Sequence, residues 1–269
     1  MSVADIVRPQ AVPELAAMPA VHPFRAWRPP AALARRVAAP PYDVVSTAEA
    51  RALAEGNPDS FLHVSRPEID LPVGTDEHAD EVYVQGRIAL DDFRASGVLV
   101  QDEVPRYTVY RQVMGDVVQT GVVGCVEVDD YVAGRIKKHE FTRPDKEDDR
   151  TRHIDVLDAH DEPVFLLHAR DGAISRAVAE VTAGVPLFEF VTDDDIEHTV
   201  WIVEDDAIEA RLTRAFETLP ALYVADGHHR SAAAMRLRDL RAARGDLTPE
   251  AEKFLAVVFA EDELNVMAY

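Results

Sequence analysis

The sequence predicts a mixed α/β fold of the α+β kind, and three observations carry that expectation. Short apolar runs rich in β-branched and aromatic residues alternate with segments of helical period. Two such runs, Tyr107–Val113 and Val117–Val128, flank Met114-Gly115-Asp116 in the pattern of an antiparallel hairpin. A third, Ala221–Ala225, passes directly into a polar segment and then an Ala/Met/Leu-rich helix over Ser231–Arg241.

Along the chain, residues 1–20 are Ala/Pro-rich and read as a loose lead-in. Val21–Pro29 reads as a short strand or extended pass, stopped by Pro29-Pro30. Pro40 and Pro41 exclude a helix there, and Ser46 caps a helix over Thr47–Glu55, with Glu49 completing a capping box. Gly56-Asn57-Pro58 ends that helix, and Phe61–Val64 reads as a strand. A second helix is expected over Asp76–Ser96, with Val82, Ile88, Ala89 and Phe93 apolar and Gly97 as its stop.

Beyond the hairpin, His139–His160 is the most densely charged stretch. Strands are expected at Val164–His168, Leu187–Phe190, Thr199–Val203 and Phe254–Phe259, with helices over Ile174–Val181 and Asp205–Thr218. Asn265–Tyr269 resembles the start of another strand, so the chain is expected to be incomplete at its C-terminus. The expected organisation is the lead-in 1–20, an N-terminal α/β region 21–180, and a region 181–269 packed against it.

Composition narrows the function classes. The 47% hydrophobic and 29% charged fractions are those of an ordinary globular chain, so bulk disorder is excluded. The net charge of -21 repels nucleic acid and anionic lipid, leaving a small molecule as the expected partner. Self-association into a homo-oligomer stays open. The single cysteine, Cys125, allows no intrachain disulfide or cysteine-based zinc module and reads as a packing residue. No apolar run reaches membrane-spanning length and the first residues lack a signal-peptide pattern, so the expected compartment is the cytoplasm.

The sharpest chemical signal is Asp226-Gly227-His228-His229-Arg230-Ser231. A strand delivers Asp226, Gly227 permits a tight turn, and the first helical turn offers free N–H groups to an anion. His228, His229, Arg230 and Ser231 add donors, the arginine with a fork suited to phosphate oxygens. Asp226 can either ligate Mg²⁺ or accept a proton from a substrate hydroxyl.

A second candidate anion site is the locally basic run through His139, Glu140, Thr142, Arg143 and Lys146 to Arg150. His139-Glu140 does not continue as H-E-x-x-H, because position 143 is arginine, so a zinc-protease reading fails. Tyr42 and Asp43 in Pro40-Pro41-Tyr42-Asp43, and Asn57 and His63 beyond the first helix, are candidate substrate-binding residues. No P-loop, dinucleotide fingerprint or G-x-S-x-G occurs.

The order of these motifs, from Pro40-Pro41-Tyr42-Asp43-Val44 through His139-Glu140-x-Thr142 to Ala225-Asp226-Gly227-His228-His229-Arg230, resembles the DUF1015 family. Members of that family are usually longer than this chain. The last segment also resembles the corresponding loop of free-serine kinases in the ParB/sulfiredoxin-like superfamily. That resemblance implies a nucleotide-binding core of this type, with additional mixed-sheet elements. It implies Asp226 as base or metal-associated acid and Gly227–Ser231 as a phosphate cradle. Glu140 follows as a second acid, with His139, Thr142 and Arg143 beside the phosphates. The resulting expectation is a Mg²⁺-dependent phosphotransferase using ATP, ADP or another polyphosphate, with free L-serine as the foremost acceptor. The alternatives are a nucleotide-binding regulatory or switch protein without metabolite turnover, and a hydrolase of a phosphorylated metabolite.

Overall fold

The computed structural model describes residues 18–263. Most of the lead-in expected over 1–20, and the strand start expected at Asn265–Tyr269, therefore lie outside the described residues.

The chain opens with strands β1 (Val21–His22) and β2 (Trp27–Arg28) and the short helix α1 (Ala34–Val37). Helix α2 (Thr47–Ala54) starts where its capping box places it. Ser46 Oγ accepts the Glu49 N–H at 3.3 Å, and the Glu49 carboxylate accepts the Ser46 N–H at 2.8 Å. The strand expected at Phe61–Val64 is instead a single helical turn, α3 (Leu62–Ser65). A four-residue apolar run does not by itself distinguish the two periods. Here the backbone is satisfied locally, with Ser65 and Arg66 N–H donating to the Phe61 and Leu62 carbonyls.

Helix α4 (Asp80–Ser96) begins four residues later than expected and ends at Gly97, whose φ of 78° is left-handed. Its buried stripe includes Val82, Ala89 and Phe93, whereas Ile88 faces solvent. Strand β3 (Val100–Gln101) pairs only with β2. The hairpin forms as read: β4 (Thr108–Met114) and β5 (Val117–Glu127) meet across a Gly115-Asp116 turn.

Helix α5 (Val128–Val132), strand β6 (Ile136–Lys137), helix α6 (Pro144–Leu157) and strand β7 (Val164–His168) follow. The remainder comprises α7 (Gly172–Thr182), β8 (Phe188–Val191), β9 (Ile196–Ile202), α8 (Asp206–Phe216), β10 (Leu222–Asp226), α9 (His228–Arg244) and β11 (Lys253–Ala260). Among the described residues, no helix is long and apolar enough to cross a membrane.

The fold is mixed α/β, with a large sheet in the order β6-β10-β7-β11-β5-β4-β9-β8 and β1 extending beside β5. β10 runs parallel to β6 and antiparallel to β7; β11 runs parallel to β7 and antiparallel to β5. Strands from 21–180 and from 181–269 therefore share one sheet, interleaved along β6-β10-β7-β11-β5. The main core gathers Val122, Val126, Leu166, Leu222 and Phe254 from the strands with Leu212 and Phe216 of α8. Ile154 of α6 meets Ala233 and Leu237 of α9 in a smaller cluster.

This topology places the site. Because β10 and β7 are antiparallel neighbours, with Asp226 opposite Phe165, the end of β10 lies beside the residues that lead into β7.

Candidate active site

The pairing of β10 with β7 shifts register between Val224 and Asp226. Such an irregularity re-aims the side chain at a strand end, and Asp226 emerges 70% exposed. Gly227 turns the chain with φ 87°. A Cβ at that position would stand 3.3 Å from the Val164 Cα. This turn lets α9 start at His228, three residues before the position expected from the sequence, and Ser231 N–H bonds the Gly227 carbonyl at 3.0 Å. The amides of His228, His229 and Arg230 thus lead the helix without intrahelical acceptors, at its positive dipole end. Gly227→Ala is expected to cost about 1–2 kcal/mol from the left-handed backbone alone, measured by urea unfolding. Unchanged stability would mean that alanine tolerates this turn.

The side chains of this turn differ in surroundings. His228 is 6% exposed, its Nδ1 is 3.7 Å from Glu140 Oε2, and its ring meets that of His139 edge-on at 4.5 Å. Burial first, and His139 second, hold its pKa below the usual histidine value. His228 Nε2 and His229 Nδ1 are buried without hydrogen-bond partners. Ser231 is fully buried and donates to the His228 carbonyl at 3.0 Å, so its hydroxyl serves the helix in this structure.

Arg230 joins the turn to two other segments. Its Nη1 donates to the Pro163 carbonyl at 3.2 Å, and its Nη2 lies 3.0 Å from Glu162 Oε2. Asp226 and Asp43 each stand 3.4 Å from the guanidinium. Burial opposes the charge, but Glu162, Asp43 and Asp226 hold the Arg230 pKa above the usual value. The Tyr42 ring lies beneath two guanidiniums, 3.9 Å from Arg150 and 5.6 Å from Arg230. Burial pushes the Tyr42 hydroxyl up to about 12.

A buried acid pair precedes β7. Burial raises Glu162 to about 7, and the charge of Asp161 adds to the rise against the effect of Arg230. For Asp161, burial is outweighed by His153, whose Nε2 lies 3.0 Å away, and by Arg150, so its carboxyl is held well below the usual range.

The structure thus brings together Tyr42, Asp43, His139, Glu140, Asp226, Gly227, His228, His229 and Arg230. The other candidates are engaged elsewhere. Thr142 bonds Glu147, which pairs with Arg236. Arg143 pairs with Asp145 in solvent, and Lys146 lies in the first turn of α6. Asn57 donates to the Arg36 carbonyl of α1, and His63 bonds Asp70 and the Asn57 carbonyl, so both hold the α2–α3 connection in place. Glu162, Asp161 and His153 were not singled out from the sequence. Their only signal is an acid pair before a proline and an apolar strand. Cys125 is partly buried in β5, and burial pushes its thiol up to about 12, in keeping with a packing role.

Residues 21–269 match DUF1015, described as a protein of unknown function. The chain belongs to the DUF1015 family. No curated protein and no solved structure matches it.

In this DUF1015 protein the site combines amide N–H groups, imidazoles and a guanidinium with accessible carboxylates, a set able to hold an anion and accept a proton. Among the described residues, no group of three or more His, Cys, Asp or Glu side chains is arranged to hold a metal ion by itself. The exposed Asp226 carboxylate still fits a Mg²⁺ that arrives with phosphate oxygens, which calls for only one or two protein carboxylates.

Proposed function

We propose that this protein is a Mg²⁺-dependent phosphotransferase that moves a phosphoryl group from ATP, ADP or another polyphosphate to a small hydroxylated metabolite. Free L-serine is the first acceptor to test. The observation that carries the reading is the first turn of α9. There an exposed Asp226 stands 3.4 Å from Arg230, and the two histidines that follow it each keep a buried ring nitrogen without a partner among the described residues. The resemblance of this loop to the ParB/sulfiredoxin-like free-serine kinases supports the same reading, with a nucleotide-binding core of that type.

The amides of His228–Arg230 and the Arg230 guanidinium hold the phosphate being transferred, as phosphoryl transfer depends chiefly on positioning and charge stabilisation. Asp226 orients the acceptor hydroxyl and accepts its proton. The hydroxyl oxygen forms the new bond to phosphorus as the bond to the departing phosphate oxygen breaks, with the electron pair leaving on that oxygen. Glu140, 3.7 Å from His228, is the second acid at the mouth. Asp226 would hold a Mg²⁺ arriving with the phosphates, and the ion would supply positive charge against the carboxylates around Arg230.

Phosphorus NMR of the protein with Mg²⁺, each donor and a pool of free amino acids tests the proposal. A new phosphomonoester supports it and names the acceptor. Nucleotide binding without transfer from any donor rejects it in favour of a regulatory nucleotide-binding protein, and phosphate release without an acceptor favours a hydrolase.

Donor identity has its own test. Phe141 follows Glu140 in the chain and is 98% exposed, so its ring is open to a base. If the donor is a nucleotide, Phe141→Ala is expected to weaken ATP binding by about tenfold through lost base stacking while sparing pyrophosphate. Equal ATP affinity in the two proteins, by calorimetry, would count against stacking of the base on this residue.

A further inference from the structure

Glu162 touches two parts of the site that are far apart in sequence. Its Oε1 accepts the Tyr42 N–H at 2.8 Å, and its Oε2 lies 3.0 Å from Arg230 Nη2. Both side chains are largely buried, at 13% exposure for Glu162 and 11% for Arg230. The Pro163 carbonyl accepts from Arg230 Nη1 at 3.2 Å, beside the Glu162 contact.

The other two acids on Arg230 are different. Asp43 and Asp226 are at the longer distance of 3.4 Å, and their side chains are substantially exposed. An anion reaching the first turn of α9 from solvent can displace these outer carboxylates, whereas Glu162 and Pro163 hold the guanidinium from within. A long arginine side chain loses rotamer freedom when it binds an anion. A buried partner that fixes it beforehand reduces that cost.

We propose that Glu162 is the positioning residue of the phosphate site. Its carboxylate fixes the Arg230 guanidinium beside the α9 N-terminus and ties the Tyr42-Asp43 segment to the same point. The inference rests on the phosphate reading of that turn and extends it to a residue outside the Asp226–Ser231 motif. Glu162→Gln is the informative variant, since it keeps an acceptor for the Tyr42 N–H and removes the charge facing Arg230.

Two measurements test it on the full chain. In the first, the Nε–Hε signal of Arg230 is followed by ¹⁵N NMR without ligand, assigned through Arg230→Lys. A slowly exchanging wild-type signal that broadens or exchanges faster in E162Q is the expected result. In the second, pyrophosphate binding with Mg²⁺ is titrated above pH 7, where Glu162 is ionised, for wild type, E162Q, R230A and the double variant. E162Q is expected to weaken binding by about tenfold, as for loss of one largely buried ion pair that positions the guanidinium. Adding E162Q to R230A is expected to cost nothing more, because the residue acts through Arg230.

An unchanged Arg230 signal in E162Q, or an equal loss of affinity from E162Q in the R230A background, overturns the positioning role. A wild-type protein that binds neither pyrophosphate nor nucleotide overturns the phosphate reading itself. The Arg230 signal then still reports separately whether Glu162 anchors the guanidinium.

Discussion

Asp226→Asn is expected to lower kcat for phosphoryl transfer by a factor on the order of 10²–10⁴, the usual contribution of a positioned general base. Asparagine keeps the size of the side chain and removes both the proton acceptor and the anionic ligand for Mg²⁺. The carboxylate is 70% exposed and makes only a 3.4 Å contact to Arg230, so its loss leaves the fold intact. Nucleotide measured without Mg²⁺ should bind at least as well, since a negative charge beside the phosphates is gone. Phosphorus NMR reads the turnover and calorimetry the affinity. Turnover within a few-fold of wild type would remove Asp226 from the chemistry and leave Glu140 as the acid to examine.

His153→Ala carries the largest expected effect on stability. His153 and Asp161 are a buried pair, 1% and 8% exposed, with 3.0 Å between Nε2 and Oδ2. Removing His153 leaves the buried Asp161 carboxylate beside Glu162 with Arg150 as its remaining cation, at a cost of about 3 kcal/mol. The loss should shrink on acidification, because Asp161 escapes the penalty by protonating. Urea unfolding at several pH values reads both effects, and a loss under about 1 kcal/mol at pH 7 would show that the pair contributes little.

Asp161 and Glu162 give opposite pH dependences. Asp161 has a depressed pKa, so its contribution is present above the usual aspartate value and is lost as pH falls through that value and towards its own. Glu162 is raised to about 7, so the folded chain keeps a proton that the unfolded chain releases at lower pH. Its contribution is lost as pH rises towards 7. The E162Q variant should therefore gain stability relative to wild type above pH 7 and show little gain near pH 4. An equal difference at both pH values would rule out that titration.

Features written in adjacent residues were legible. Ser46 and Glu49 cap α2 because both halves of the capping box lie within one helical turn. The Gly115-Asp116 turn joins β4 to β5 as the flanking alternation implies. The order strand, glycine, helix through Asp226-Gly227-His228 placed amide donors and an exposed acid at one junction. Local pattern failed where two periods fit equally, as at Leu62–Ser65, and where a side chain had both local and remote candidate partners. Asn57 and His63 read as binding residues; Asn57 instead donates to the Arg36 carbonyl, 21 residues away, and His63 bonds Asp70 and the Asn57 carbonyl.

By itself the sequence determined most of the element types, the net acidic charge, and a helix that follows a strand and a glycine at Asp226-Gly227. These follow from short-range backbone preferences, hydrophobic period and summed charge. Only the tertiary structure decided which side chains surround the N-terminus of that helix. Tyr42 and Glu162 are 120 residues apart and Asp43 and Arg230 are 187 apart, yet they meet, and Glu162 reaches Arg230 because β10 pairs antiparallel with β7. The same pairing takes Glu162 out of water, raises its carboxyl and sets it against Arg230. An ionisable group's chemistry depends on its solvent exposure and on the charges facing it, and both are set here by strand order.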